Sequence, residues 1–191
     1  MSKNRLEAFS DGVLAIIITI MVLELDVPEE PTLAALAPLI PVFLSYVLSF
    51  IFLGIYWNNH HHLLQAADSV DGRVLWANLH LLFWLSLVPF TTTWMGQNNF
   101  AALPVALYGV DLLLAAVAYF ILVRALLSLH GQNSTLAQAL DRDIKGKISL
   151  YIYVAAIPLA FLSPLLAGML YVLVAVIWLV PDRRIENRLR R

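Results

Sequence analysis

Long apolar runs separated by short polar connections make up most of this chain. A helix that crosses the hydrocarbon of a bilayer needs about 20 mostly apolar residues. Six runs come near that length: Leu6–Leu25, Ala37–Trp57, Leu75–Trp94, Pro104–Leu127, Ile148–Ser163 and Leu165–Val180. Between the last two, Ser163-Pro164, with Gly168 beyond, favours a tight hairpin over one broken helix. The runs are too long and too continuously apolar for barrel strands, which leaves helices as the way to satisfy the backbone in lipid. The pattern predicts an all-α membrane protein: one domain over residues 1–191, six transmembrane helices, no internal repeat and no low-complexity tract. The polar stretch His130 to Lys147 reads as a short solvated connector.

Composition agrees with this reading. Of 191 residues, 61% are apolar and 13% charged, and the mean hydropathy is +0.80. Soluble domains are about half apolar and a quarter charged. There is no cysteine, which excludes disulfides, thiolate metal sites and cysteine catalysis. The first run ends in Glu24 and Asp26 without a small-residue cleavage site, so it does not read as a signal peptide.

The placement of charge adds orientation. The bases are Lys3 and Arg5 before the first run, then Arg73 in the second connection. Arg124, Arg142, Lys145 and Lys147 surround the fourth, and Arg183, Arg184, Arg188, Arg190 and Arg191 form the tail. These are all 12 Lys and Arg, and with six spans every one falls on a single side. The positive-inside rule then predicts cytoplasmic N- and C-termini. The first connection carries only acids: Glu24, Asp26, Glu29 and Glu30. Trp57, Trp76, Trp94 and Trp178 fall near predicted span ends, where interfacial aromatics belong.

The first run carries the most informative chemistry. Ile16, Ile20 and Leu23 are spaced i, i+4, i+7 and share a helix face, with Val13 extending the stripe by a turn. Asp11 lies five residues before Ile16, about 140° around the helix. It should point away from the stripe, toward a neighbouring helix. An ionisable residue at that depth is costly unless paired, which marks it as a functional candidate. A buried structural polar network and a direct role in gating are both open readings. Arg5 projects from another face, so a bond to Asp11 would need a second subunit or a frayed end. Thr19, beside the stripe, has a hydroxyl suited to bonding the carbonyl four residues earlier.

Elsewhere, His60-His61-His62 ends the second run. Adjacent positions do not converge on a metal, and no carboxylate completes a zinc pattern. A polar cluster level with Arg5 and Asp11, with histidines able to titrate near neutrality, is the expected arrangement. The third run carries Asn78, His80 and Thr91-Thr92-Thr93; the threonines could line an outer mouth or bond their own helix. Asp111 is a second intramembrane carboxylate whose partner the sequence does not name. No G-x-S-x-G, P-loop, zinc motif or T-V-G-Y-G filter appears, so no enzyme activity is expected.

Arg5-Leu6-Glu7-Ala8-Phe9-Ser10-Asp11 is a complete R-x-x-x-F-S-D motif at the start of the first helix. With Gly12–Leu25, Trp57-x-Asn59-His60-His61 and, more loosely, Asn78 and Pro89-Phe90, it resembles the transmembrane protein 175 family over about the first half of the chain. That family comprises endosomal and lysosomal potassium channels and their prokaryotic relatives. The resemblance implies a prokaryotic six-helix unit assembling as a homotetramer, whereas animal members join two units in one chain. It implies a pore lined by the first helix and narrowest at Ile16, Ile20 and Leu23. It also implies a motif network joining Arg5 and Asp11 to second- and third-helix residues such as His60. The expected function is a potassium-favouring monovalent cation channel in the cell membrane. No cofactor is implied beyond permeant potassium ions, and the expected partners are lipid, monovalent cations and further copies of the chain, with no nucleic acid.

A ring of Ile and Leu gates by dewetting and cannot replace an ion's hydration shell, so selectivity should be modest. Four copies of Glu24, Asp26, Glu29 and Glu30 would form an anionic outer vestibule, unless they are simply a solvated loop. The alternative is a proton-coupled transporter or proton channel using Asp11, Asp111 and the histidine cluster, although carriers usually show repeats and broken helices.

Overall fold

The computed structural model describes residues 2–131 and 144–179. Seven α-helices are present among them. They are α1 (Lys3–Leu23), the short α2 (Leu33–Leu36), α3 (Ile40–Gln65), α4 (Gly72–Gln97), α5 (Ala102–His130), α6 (Ile144–Leu159) and α7 (Pro164–Leu179). A 3₁₀ turn, Ala37–Leu39, joins α2 to α3. No strand occurs among the described residues. The predicted Val180 end of the last span, Arg142 and the basic tail lie outside the described residues.

Four helical stretches are long and apolar enough to cross a membrane: Lys3–Leu23, Leu33–Gln65, Gly72–Gln97 and Ala102–His130. They correspond to the first four predicted spans with shifted ends. The first helix begins three residues earlier than expected and stops at Leu23. The second runs on past Trp57, so all three histidines are helical. It is entered through α2 and the 3₁₀ turn, with Pro38 and Pro41 in first-turn positions where a missing N–H costs no helical hydrogen bond. Asp71 caps α4, its carboxylate accepting from Val74 N at 2.9 Å. The ends of the expected His130–Lys147 connector are helical as well: His130 closes α5, and Ile144–Lys147 form the first turn of α6.

The last two helices have the expected length but lie nearer the N-terminus than expected, by four residues and by one. α6 and α7 have 16 residues each, about 24 Å at 1.5 Å per residue. The predicted fifth span reaches Ser163, but α6 ends at Leu159, just after its internal Pro158. A tight turn follows, and Ser163 precedes Pro164 at the first position of α7, where a missing N–H is harmless. The expected hairpin is therefore present.

Side-chain bonds fix the directions. α1 and α3 are antiparallel, because Asp11 pairs with Trp57 and Glu7 with His61. α3 and α4 are antiparallel, through Ser49–Thr92 and His60–Asn78. α3 and α5 are parallel, through Ser49–Tyr108 and Tyr119–Asn59. In consequence Lys3, Arg5, Arg73 and Arg124 gather at one end of the bundle, and Lys147 of α6 joins that end, lining a cleft with Asn59 and Tyr119.

The core has two parts. One joins α1, α3, α4 and the second half of α5 around Leu14, Ile17, Leu53, Leu81, Leu85 and Leu122. The other joins the first half of α5 to α6 and α7 around Tyr108, Leu112, Tyr153 and Tyr171. Two glycines permit close approach. A Cβ on Gly96 would sit 2.7 Å from Val42 Cα and 2.5 Å from Ser45 Oγ, where α3 crosses α4. A Cβ on Gly109 would collide with the Tyr171 hydroxyl, which donates to Val105 O at 3.2 Å.

Candidate pore helix and its polar collar

One side of α1 is buried inside the chain. Leu6, Ser10, Leu14, Ile17 and Met21 are buried on it, facing α3 and α4. The aliphatic stripe is on another side: Ile16 is 59% exposed, Ile20 42% and Leu23 80%, against 3% for Ile17. Phe9 shares that exposed face, as does the side chain of Arg5 by helical angle. Val13 does not belong to the stripe as expected; it is half-buried against the core. Thr19 is exposed, and its hydroxyl donates at 2.8 Å to Ile16 O, three residues back and not four.

Around the other flank of α1 lies a collar of polar contacts. Asp11 accepts from Trp57 Nε1 at 3.0 Å. One turn away, Glu7 Oε1 meets His61 Nδ1 at 2.8 Å. Glu7 and Asp11 are four residues apart, as are Trp57 and His61, so two antiparallel helices meet in two matched rungs. Deeper in, Ser10, Asn78 and His60 form a buried line across α1, α4 and α3. The Ser10 hydroxyl donates to Leu6 O at 2.9 Å, and Asn78 Nδ2 donates to Ser10 Oγ at 2.9 Å. Asn78 Oδ1 then accepts from His60 Nε2 at 2.7 Å. His60 Nδ1 is buried without a partner.

These contacts distribute the motif residues. Ser10, Asp11, Trp57, His60, His61 and Asn78 enter the collar. Arg5 and Asn59 do not: the Arg5 guanidinium has no partner among the described residues, and Asn59 Nδ2 donates to Ile55 O of its own helix at 2.8 Å. Asp11 bonds Trp57 and not His60, which reaches the motif through Asn78 and Ser10. Glu7 was not singled out from sequence, although its position four residues before Asp11 is a readable signal. His80 lies outside the collar, accepting from Trp84 Nε1 at 2.9 Å.

The threonines take part in contacts between helices as well as within their own. Thr92 and Ser49 hydroxyls are 2.6 Å apart, and Thr91 reaches Asp111 at 3.0 Å. Glu24, Asp26, Glu29 and Glu30 are all largely exposed beyond the far end of α1, apart from the bases. A separate cleft of about 180 Å³ lies among α3, α5, α6 and α7, lined by Phe52, Tyr56, Tyr119, Leu150 and Tyr153. It does not involve α1.

A helical bundle with four helices long and apolar enough to cross a membrane defines the class: an integral membrane protein. Comparison with known proteins gives the particular family. The family model described as "Endosomal/lysosomal potassium channel TMEM175" matches residues 5–89. A potassium channel of Chryseobacterium sp. (strain P1-3) is 56% identical over 190 residues, covering 100% of this chain and 99% of that protein. The chain belongs to the TMEM175 potassium channel family. The crystal structure of a lysosomal potassium-selective channel TMEM175 homolog from Chamaesiphon minutus superposes with a TM-score of 0.80 at 26% identity, covering 93% of this chain and 96% of that one. An endosomal/lysosomal proton channel of Danio rerio is 28% identical over 135 residues, 68% of this chain but 25% of that protein. These relatives are channel proteins and not enzymes.

Proposed function

We propose that this chain is the subunit of a homotetrameric, potassium-favouring cation channel of the cell membrane, with six spans and both termini cytoplasmic. The observation that carries the reading is the exposed aliphatic stripe of α1. Its opposite flank is already packed against α3 and α4, so the stripe is free to face a symmetry axis. Four copies of Ile16, Ile20 and Leu23 then form a constriction that opens by widening and wetting. The gathering of bases at the N-terminal end of α1 supports a cytoplasmic mouth there. The acids Glu24, Asp26, Glu29 and Glu30 then surround the outer mouth. The Chryseobacterium and Chamaesiphon relatives, both named as potassium channels, support potassium as the favoured ion.

Ile16→Asn places an amide in the constriction. Reconstituted in liposomes, this variant is expected to raise cation flux and lower discrimination between potassium and sodium. Unchanged flux together with unchanged selectivity would remove Ile16 from the constriction. A second reading, proton conduction, draws support from the vertebrate relatives named as proton channels. Proton flux into liposomes without potassium, lost in Asp11→Asn, would favour it.

A further inference from the structure

Asp111 lies away from α1 and takes no part in the pore assignment. It is 4% exposed, and its Oδ1 is buried without a hydrogen-bond partner. Its other oxygen meets Thr91 Oγ1, which stands 3.0 Å from Asp111 Oδ2, 3.2 Å from Val88 O and 3.4 Å from Leu87 O. A hydroxyl has one hydrogen. If the carboxyl were ionised, that hydrogen would have to serve either the carboxylate or the helix carbonyls, and Oδ1 would carry negative charge with no donor, where a neutral acid leaves only an uncharged carbonyl oxygen there.

The surroundings offer no relief. Ser49 bonds Thr92 at 2.6 Å and Tyr108 at 3.0 Å, so those hydroxyls are engaged with one another. The titratable groups facing Asp111 are phenols, Tyr56 from α3 and Tyr108 from α5. From α4 it meets the uncharged Thr91. No ion pair reaches it among the described residues. An unpaired carboxylate inside a membrane protein is far more costly than a neutral acid. A dehydrated metal cation would need several free oxygens, and the nearby hydroxyl oxygens are already paired.

We propose that the interior between α4 and α5 is a proton-binding site, in which Asp111 holds a proton and donates it as a hydrogen bond to Thr91 Oγ1. The Thr91 O–H then turns to Val88 O, and each hydrogen has one acceptor. The ligand is a proton, bound in the body of each subunit and independent of which ion crosses along α1.

Infrared spectroscopy of the purified full-length protein, with aspartate ¹³C-labelled at its side-chain carboxyl, tests this at neutral pH. The expected result is a label-sensitive carbonyl stretch of a protonated carboxylic acid. It should be absent in Asp111→Asn, unchanged when potassium is exchanged for sodium, and moved to higher frequency in Thr91→Val. The absence of any such band in the labelled wild-type protein would overturn the proposal, with no variant required to fold. A band that survives Asp111→Asn would do so too, as would one that vanishes on adding potassium or sodium. An unmoved band in Thr91→Val would overturn the assignment of Thr91 as acceptor.

Discussion

Ser10 occupies the point where three helices meet. Its hydroxyl accepts from Asn78 Nδ2 while donating to Leu6 O. Ser10→Ala leaves a buried amide hydrogen unsatisfied, at a cost of about 1–3 kcal/mol. Thr19→Ala removes only an exposed bond within α1 and should stay within about 0.5 kcal/mol. Thermal unfolding of the purified variants in one detergent checks the contrast; equal midpoints would mean that the Ser10–Asn78 contact carries no stability. At this scale the sequence was informative about direction. The angle of about 140° between Asp11 and Ile16 turned the carboxylate away from the stripe, as observed. It was silent about Trp57 as partner, because a hydrogen bond across 46 positions depends on helix register that no local pattern encodes.

Between elements, the α3–α4 contact depends on the missing side chain of Gly96. Atoms only 2.5 and 2.7 Å from where a Cβ would sit leave no room for one, and the backbone atom among them belongs to a helix that cannot yield alone. Gly96→Ala should lower stability by about 1–3 kcal/mol through overpacking. Gly54→Ala, which meets nothing within 4 Å, should gain or lose little. Comparing the two unfolding midpoints tests the argument, and an unaffected Gly96→Ala would show that the helices separate freely. The helices themselves were legible from hydropathy, but their ends were not. The apolar pattern stops at Trp57, whereas the backbone stays helical to Gln65 because α1 and α4 supply polar partners for the residues beyond.

For the proposed tetrameric channel, the testable quantity is the field of the acids beyond the far end of α1. Replacing Glu24, Asp26, Glu29 and Glu30 by Gln and Asn is expected to reduce single-channel conductance at low salt. The difference should fade as the Debye length shrinks from about 30 Å at 0.01 M to about 3 Å at 1 M. Conductance that is insensitive to the substitutions at every salt concentration would place these acids in a solvated loop away from the ion path.

The sequence by itself determined that this is a helical membrane protein, where its first four spans run, which family it belongs to and which residues of the first helix share a face. Those properties follow from hydropathy, period and a contiguous motif, all of them local along the chain. Tertiary structure decided which face of α1 is left free, that Asp11 meets Trp57 while Ser10 reaches His60 through Asn78, and that Arg5 finds no partner among the described residues of one chain. It also decided that Asp111 faces Thr91 with one oxygen unmatched. Each of these depends on the register and crossing of helices distant in sequence, which packing of side-chain shapes sets and hydropathy does not.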